Sequence, residues 1–482
     1  ASKQPTKLVN WINSDIDSDK LGNIMILPDG RVLCVSHNYG MNGNSKSEFI
    51  ILTKTDSAQI KPKTKLTLAT MWMSSELRGA VLQFNKTNQD YRIEVQDYSE
   101  FNTKDDYEAG RLKLNTAIIS GNVPDLVDVN QMPMQQYVAK GLMEDLYPYI
   151  DKDTEVSRDD LVQSVFRSLE INGGLYQVSP SFSVSSVVGA TSLVGPDMGW
   201  TIDDLMAVRE KMPEGNTVFN YLTRDSMLYS MCVFGMDDYV NWETGECHFD
   251  SDTFIKMLEF ANTFPVEYNW EDEETNSVSE FEKIKSGQVF LSAFNLYDFQ
   301  EYQTYQAMYG GDITYIGFPR ATGIGNAVSV NAGLAMSSKC AHKEAAWEFM
   351  RIFLTEKYQK ENIWWGLPTN KNIFDLKLAD AMKTEEEKAA QQAASNSDMA
   401  VSIGGSVMMG DGLEVKIHPM TQPEKDKIMA MVDALDSTVN YDQSMMEIIQ
   451  EESAAFFAGQ KTAAETAGII QSRVKIYVNE QK

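Results

Sequence analysis

Asn130 and Gln131 follow an apolar run, Leu126, Val127 and Val129, too short for a helix and right for a strand buried on both faces of a parallel sheet. In open α/β sheets the carboxyl ends of strands face the ligand crevice, so an amide-bearing pair there is placed to meet a solute. The same pattern also fits an ordinary strand-to-helix loop. Upstream, Ser120, Gly121 and Asn122 read as the close of a helix, and Pro124 forbids its continuation.

Other residue types that could do chemistry lack the spacing for it. His37, His248, His342 and His418 form no HExxH pair, so a catalytic metal is not expected. Gly459-Gln460-Lys461-Thr462 lacks the glycine spacing and preceding strand of a phosphate loop, and no G-x-S-x-G elbow occurs. Asp15, Asp17 and Asp19 open like a calcium loop, but its last ligand position falls on Ile26. Neither a metal nor a cofactor is therefore expected. Paired carboxylates for glycoside hydrolysis stay open among 69 acidic residues, because their separation is a three-dimensional fact.

The elements that position these residues follow from composition and periodicity. At 482 residues the chain has the length of roughly three domains, or two large interleaved ones. Its charged fraction of 23% and hydrophobic fraction of 43% are those of an ordinary globular protein. A net charge of −27 disfavours nucleic acid or an anionic membrane surface as partner. Cys34, Cys232, Cys247 and Cys340 are too few for a disulfide framework, although a Cys232–Cys247 bridge is compatible with their separation. No apolar run approaches the ~20 residues that span a bilayer. The first residues do not read as a signal peptide, which leaves a cytoplasmic protein or one whose targeting segment has been removed.

Residues 1–64 differ from the rest. Strands over 23–27 and 31–35, joined by Pro28-Asp29-Gly30, and a third over 48–53 form a small β unit resembling one propeller blade. A lone blade cannot bury its faces, so it packs on the next domain or is the remnant of a longer propeller. Beyond it, strands over 66–71, 91–95 and 126–129 alternate with helices over 75–87 and 105–119, the pattern of a doubly wound parallel sheet. The second of these helices should turn Leu112, Leu114 and Ile118 inward. Thr201 and Asp204 form a capping box, and a helix over 341–354 should bury Ala346, Phe349, Met350 and Phe353.

The order of short motifs carries a resemblance. Phe84-Asn85, Ser120-Gly121 with Pro124-Asp125, and Gly141-Leu142-Met143-Glu144-Asp145-Leu146 are followed by Gly199-Trp200-Thr201, Ser286-Gly287, Ile316-Gly317-Phe318-Pro319 and a stretch from His342 to Phe349. From about residue 65 onward the chain resembles the extracellular solute-binding proteins of bacterial ABC importers, in the maltose-binding-protein-like carbohydrate group. The resemblance implies an α/β, type II periplasmic-binding-protein fold of two lobes joined by three crossings, near 176–182, 316–320 and 366–371, with the small N-terminal β segment added. Lobe 1 is then expected over 65–178 and 319–366, and lobe 2 over 179–318 and 367–482. It further implies a monomer outside the cell, anchored to the membrane by lipid in its full-length form, that hands its ligand to a membrane permease.

A sugar offers flat C–H faces rimmed by hydroxyls, so its site pairs aromatic platforms with planar polar groups. Under the resemblance the expected ligand-binding residues are Trp72 and Glu76 after the first strand, Asn130 and Gln131, Ser183 after the first crossing, and Arg224. Asn295 and Tyr297 at a strand end, and Trp365 beside Trp364 before the third crossing, complete the set. The expected function is capture of an oligosaccharide without catalysis. The alternatives are a polysaccharide-active enzyme or a binding protein for a non-sugar solute.

Overall fold

The computed structural model describes residues 9–39, 45–56, 61–268, 278–321, 324–363, 365–395, 406–408, 414–439 and 441–481. Two sheets, each covered by helices on both faces, organise the chain.

The first sheet has the strand order Leu334–Met336, Leu126–Asp128, Thr64–Thr70, Tyr91–Asp97. The last three are parallel, and Leu334–Met336 runs antiparallel to them. Alternation along the Thr64–Thr70 strand sends Leu66 and Leu68 into one core and Ala69 into the other. The Ser75–Thr87 helix begins where Ser74 accepts from the Leu77 N–H at 3.1 Å, and it buries Leu77, Ala80, Val81 and Phe84 as the spacing predicts. Several motif residues prove to be fasteners. The Asn85 amide brackets Ile93, donating to its carbonyl at 3.0 Å and accepting from its N–H at 2.6 Å. Asp125 Oδ2 accepts from both the N–H and the hydroxyl of Thr67 at 2.8 Å, tying the turn after Pro124 to the neighbouring strand.

In the second sheet the ten-residue strand Ser181–Ala190 is the hub. Leu291–Leu296, Ala327–Asn331, Ile313–Tyr315 and Leu367–Pro368 all pair with it, and Ser437–Thr438 extends Ala327–Asn331. Val184 and Val188 face a core shared with the first sheet, whereas Val187 and Leu291 face a second core with the carboxyl-terminal helices Gln443–Phe457 and Ala463–Glu480.

Three segments join the sheets. Val178 bridges to Leu334 in the first sheet and Ser181 already pairs in the second. The return lies between Asn331 and Leu334, where Ala332 takes a φ of 55°. Residues 316–320, where this passage is expected, stay with the second sheet: the Ile316 N–H donates to the Val187 carbonyl at 2.8 Å and the Phe318 N–H to the Gly325 carbonyl at 2.9 Å. The third segment is Leu367–Pro368 and its flanks. A buried network binds all three: Thr369 Oγ1 donates to the Ser179 carbonyl at 2.7 Å, the Ser179 hydroxyl donates to the Asn331 carbonyl, and Gln359 Nε2 donates to Thr369 Oγ1 at 2.8 Å.

The strands Leu21–Ile26, Val32–Tyr39 and Ser45–Leu52 form a separate antiparallel sheet. The residues before it are clamped to the first lobe. Asn13 accepts from the Val95 N–H at 2.9 Å and donates to its carbonyl at 3.1 Å, while Asp15 meets Arg92 at 3.2 Å and Asp19 meets Arg78 at 3.2 Å. The aspartates that open like a calcium loop thus face arginines.

Two further expectations change. The helix before residue 120 runs Ala109–Ile119 with Gly110, Leu114 and Ile118 inward, and Leu112 is 59% exposed. Residues four apart share a helix face, and a residue two positions away points to the opposite side. All four cysteines are free and buried, so Cys232 and Cys247 are not bridged. No helix among the described residues is long and apolar enough to cross a membrane.

Candidate functional site

A cavity of about 540 Å³ lies between the two sheets. The first sheet presents the carboxyl ends of its parallel strands: Trp72 just beyond Thr64–Thr70, and Asn130 and Gln131 just beyond Leu126–Asp128. Trp72 is 65% exposed, an open aromatic face. Gln131 holds a φ of 56°, a left-handed conformation that costs a non-glycine residue free energy and that clusters at functional sites. The second lobe contributes Tyr229 from the Arg224–Gly235 helix, Ser329 and Asn331 from the strand Ala327–Asn331, and Tyr441. Gln177 enters from the first passage.

The charged lining groups are largely engaged by the protein. Arg111 pairs with Glu108 at 2.8 Å, donates to Gln131 Oε1 at 2.8 Å and to the Tyr441 hydroxyl at 3.3 Å, and stands 5.3 Å from the Tyr441 ring centroid. Arg167 donates to the carbonyls of Asp433 at 3.1 Å and Leu435 at 3.2 Å. Burial pushes the Asp128 carboxyl up to about 6, opposed by hydrogen bonds from the Asn130 N–H and the Thr70 hydroxyl. The cavity offers a solute aromatic surface, amides and hydroxyls, together with the carboxylates of Glu170, Asp237 and Asp436. Deeper in the seam, Gln136 Nε2 donates to the Tyr477 hydroxyl at 3.4 Å, and that hydroxyl lies 3.1 Å from both oxygens of Asp442. Burial pushes Asp442 up to about 6 as well.

Of the residues expected from sequence, Trp72, Asn130 and Gln131 line the cavity. Ser183, Asn295, Tyr297 and Trp365 are not among its lining residues; the first two lie on strands of the second sheet, Tyr297 follows Leu291–Leu296 and Trp365 precedes Leu367–Pro368. Ser183 opposes Ser329 across the strands, and Ser185 Oγ lies 2.6 Å from Asn295 Oδ1 and 3.3 Å from Ser329 Oγ. The Tyr297 and Trp365 rings meet edge to face with centroids 6.1 Å apart. Two residues lie elsewhere. Glu76 stands in the first turn of the Ser75–Thr87 helix, its carbonyl accepting from the Tyr358 hydroxyl at 2.9 Å. Arg224 donates to the Phe457 carbonyl at 2.8 Å and covers that ring, fastening the carboxyl-terminal helices. Trp364 lies outside the described residues.

Sequence reasoning missed Arg111, Gln177, Tyr229 and Tyr441. Gln177 carried a signal, standing between the Asn172-Gly173-Gly174 turn and Pro180 where the chain leaves a lobe. The other three sit on or beside helices whose local pattern does not reveal which face meets the other lobe.

Comparison with known proteins follows the same lines. Residues 73–360 match the family model described as bacterial extracellular solute-binding protein. No curated protein matches the chain. Among solved structures, an ABC substrate-binding protein from Listeria monocytogenes in complex with cycloalternan is 18% identical, covers 87% of this chain and 100% of its own, and superposes with a TM-score of 0.50. The sugar-binding protein MalE from Xanthomonas citri is 14% identical, with coverage of 86% and 98% and a TM-score of 0.50. A periplasmic oligogalacturonide-binding protein from Yersinia enterocolitica is 13% identical, with coverage of 87% and 100% and a TM-score of 0.50. At these identities the likeness is one of fold.

Proposed function

Because the chain belongs to the family of bacterial extracellular solute-binding proteins, we propose that it captures a neutral oligosaccharide in the interlobe cavity and delivers it to the permease of an ABC importer. The observation that carries this reading is the make-up of the cavity: the open face of Trp72 and the rings of Tyr229 and Tyr441 stand with Asn130, Gln131, Gln177 and Asn331 around one space. Aromatic faces stack on the C–H surface of a pyranose, and the amides exchange hydrogen bonds with its hydroxyls. The arginines are held by protein acceptors, which favours a neutral ligand over an anionic one.

Binding proceeds without bond making or breaking. A ligand touching both walls favours the closed arrangement of the lobes, the shape a permease would receive. The protein acts as a monomer outside the cell, held to the membrane by lipid in its full-length form. Titration calorimetry against a panel of oligosaccharides tests the reading. Saturable heat with at least one series is expected, and binding of a peptide, polyamine or metal ion with no sugar binding would sink it. Release of reducing ends on incubation would point instead to an enzyme.

A further inference from the structure

A groove of about 680 Å³ runs along the first lobe and shares Trp72 with the interlobe cavity. Strand order explains this continuity. Leu126–Asp128, Thr64–Thr70 and Tyr91–Asp97 lie side by side and parallel, so their carboxyl ends form one rim. Asn130 and Gln131 stand at one end of that rim, Trp72 in the middle and Tyr98 at the far end. The outer wall of the groove is Trp11 and its neighbours, carried there by the clamp of Asn13 on Val95. The family match begins at residue 73, so this wall lies outside the matched region.

The groove's chemistry matches that of the cavity. The Tyr98 and Phe101 rings meet with centroids 5.7 Å apart, and Phe101 is 45% exposed, with the Lys113 ammonium 3.3 Å from its centroid over one face and the other left for a ligand. Gln96 and Ser99 add neutral hydrogen-bonding groups, while Asp97 and Glu100 repel anions. Arg78, the cation of the lining, is held by the Ser18 hydroxyl at 2.5 Å, Asp19 at 3.2 Å and the Met73 carbonyl at 3.4 Å.

We propose that this groove is a second binding segment for the distal units of the same oligosaccharide, with Trp72 stacking on the unit at the junction. The inference rests on the reading of the cavity as an oligosaccharide site. A chain long enough to reach past Trp72 gains contacts with Trp11 and Phe101 that a short chain cannot make. The N-terminal addition therefore sets a preference for chain length.

The test is titration calorimetry of the full chain with neutral linear α-1,4- and β-1,4-linked glucan oligosaccharides, from disaccharide to octasaccharide. Trp11→Ala and Phe101→Ala are measured beside the unmodified protein. Affinity is expected to keep rising beyond the shortest chain that binds. Each variant should lose roughly tenfold on the long chains and keep the affinity of the shortest binder. Phe101 belongs to the lobe itself, so its variant remains decisive if Trp11→Ala loosens the N-terminal segment. Affinity flat with length, or long-chain affinity unchanged in Phe101→Ala, or equal losses on short and long chains in that variant, would overturn the groove while leaving the cavity reading intact. No heat with any member of either series, nor with any other oligosaccharide of the calorimetric panel, would overturn both.

Discussion

Tyr441 accepts a hydrogen bond from Arg111 at 3.3 Å and also lies beneath its guanidinium, 5.3 Å from ring centroid to charge centre. Arg111 belongs to the helix feeding the first sheet, and Tyr441 follows the last strand of the second. The pair therefore links the two lobes across the lining of the cavity.

Tyr441→Ala should remove both the acceptor and the ring, and Tyr441→Phe only the acceptor. Oligosaccharide affinity is expected to fall roughly tenfold in the first and about threefold in the second, mostly through faster dissociation. Stopped-flow tryptophan fluorescence reads the rates. Dissociation equal to that of the unmodified protein in Tyr441→Ala would show that the pair does not hold the lobes.

Thr369→Val keeps the shape of a fully buried side chain but deletes the hydroxyl that donates to Ser179 and accepts from Gln359. The Ser179 carbonyl loses its side-chain donor while Gln359 Nε2 keeps its bond to the Phe353 carbonyl at 2.9 Å, a cost of about 1–3 kcal/mol. Urea unfolding should show a lower midpoint, and an unchanged midpoint would mean that the connecting segments do not rely on this node.

Asp128 and Asp442 carry carboxyls that burial holds at about 6. In the unfolded chain a carboxyl of this type ionises near pH ~4. Between those values the native state binds more protons than the unfolded one, so stability falls as pH rises through the window and levels off above pH ~6. In the opposite sense, the capping bonds from Thr201 and Thr462 hold Asp204 and Glu465 below their ordinary range, and that stabilisation is lost only as pH falls below about 4. Denaturant midpoints should therefore peak near pH ~5, on the order of 2 kcal/mol above pH ~7. Asp128→Asn should flatten part of the slope. Midpoints that climb from pH ~5 to ~7 would contradict this account.

Trp347 Nε1 donates to Asp153 Oδ2 at 2.6 Å beneath the first lobe. Trp347→Phe keeps most of the ring and removes that donor beside a buried acid. A loss of about 1–3 kcal/mol is expected by thermal unfolding, with ligand affinity unchanged. A fall in affinity at constant stability would assign Trp347 a part in binding.

The first lobe was legible because its signals are local. The alternation of Leu66, Leu68 and Ala69, the helical spacing of Leu77, Ala80, Val81 and Phe84, and the stop at Pro124 each depend on near neighbours. Trp72, Asn130 and Gln131 were legible for the same reason, since strand ends are defined by sequence and parallel sheets put them at the crevice. The second wall was harder to read. Tyr229 and Tyr441 are remote in sequence and meet Arg111 only through packing of the lobes, and Arg224 looks like a ligand contact until the Phe457 carbonyl is found beside it. Leu112 failed on a smaller point, because its neighbours at helical spacing chose the opposite face.

The four buried thiols give the protein its own set of clocks. Burial pushes Cys340 up to about 11 and Cys232 up to about 12, so neither reacts with an alkylating agent at neutral pH until its surroundings open. They sit in different places: Cys34 in the N-terminal sheet, Cys340 in the core of the first lobe, Cys232 and Cys247 in the core of the second. Mass-resolved alkylation therefore times the opening of each region separately, in the unmodified chain and without an added label. A ligand that spans the lobes would slow Cys340 and Cys232 together, whereas one confined to the rim of the first lobe would slow Cys340 alone.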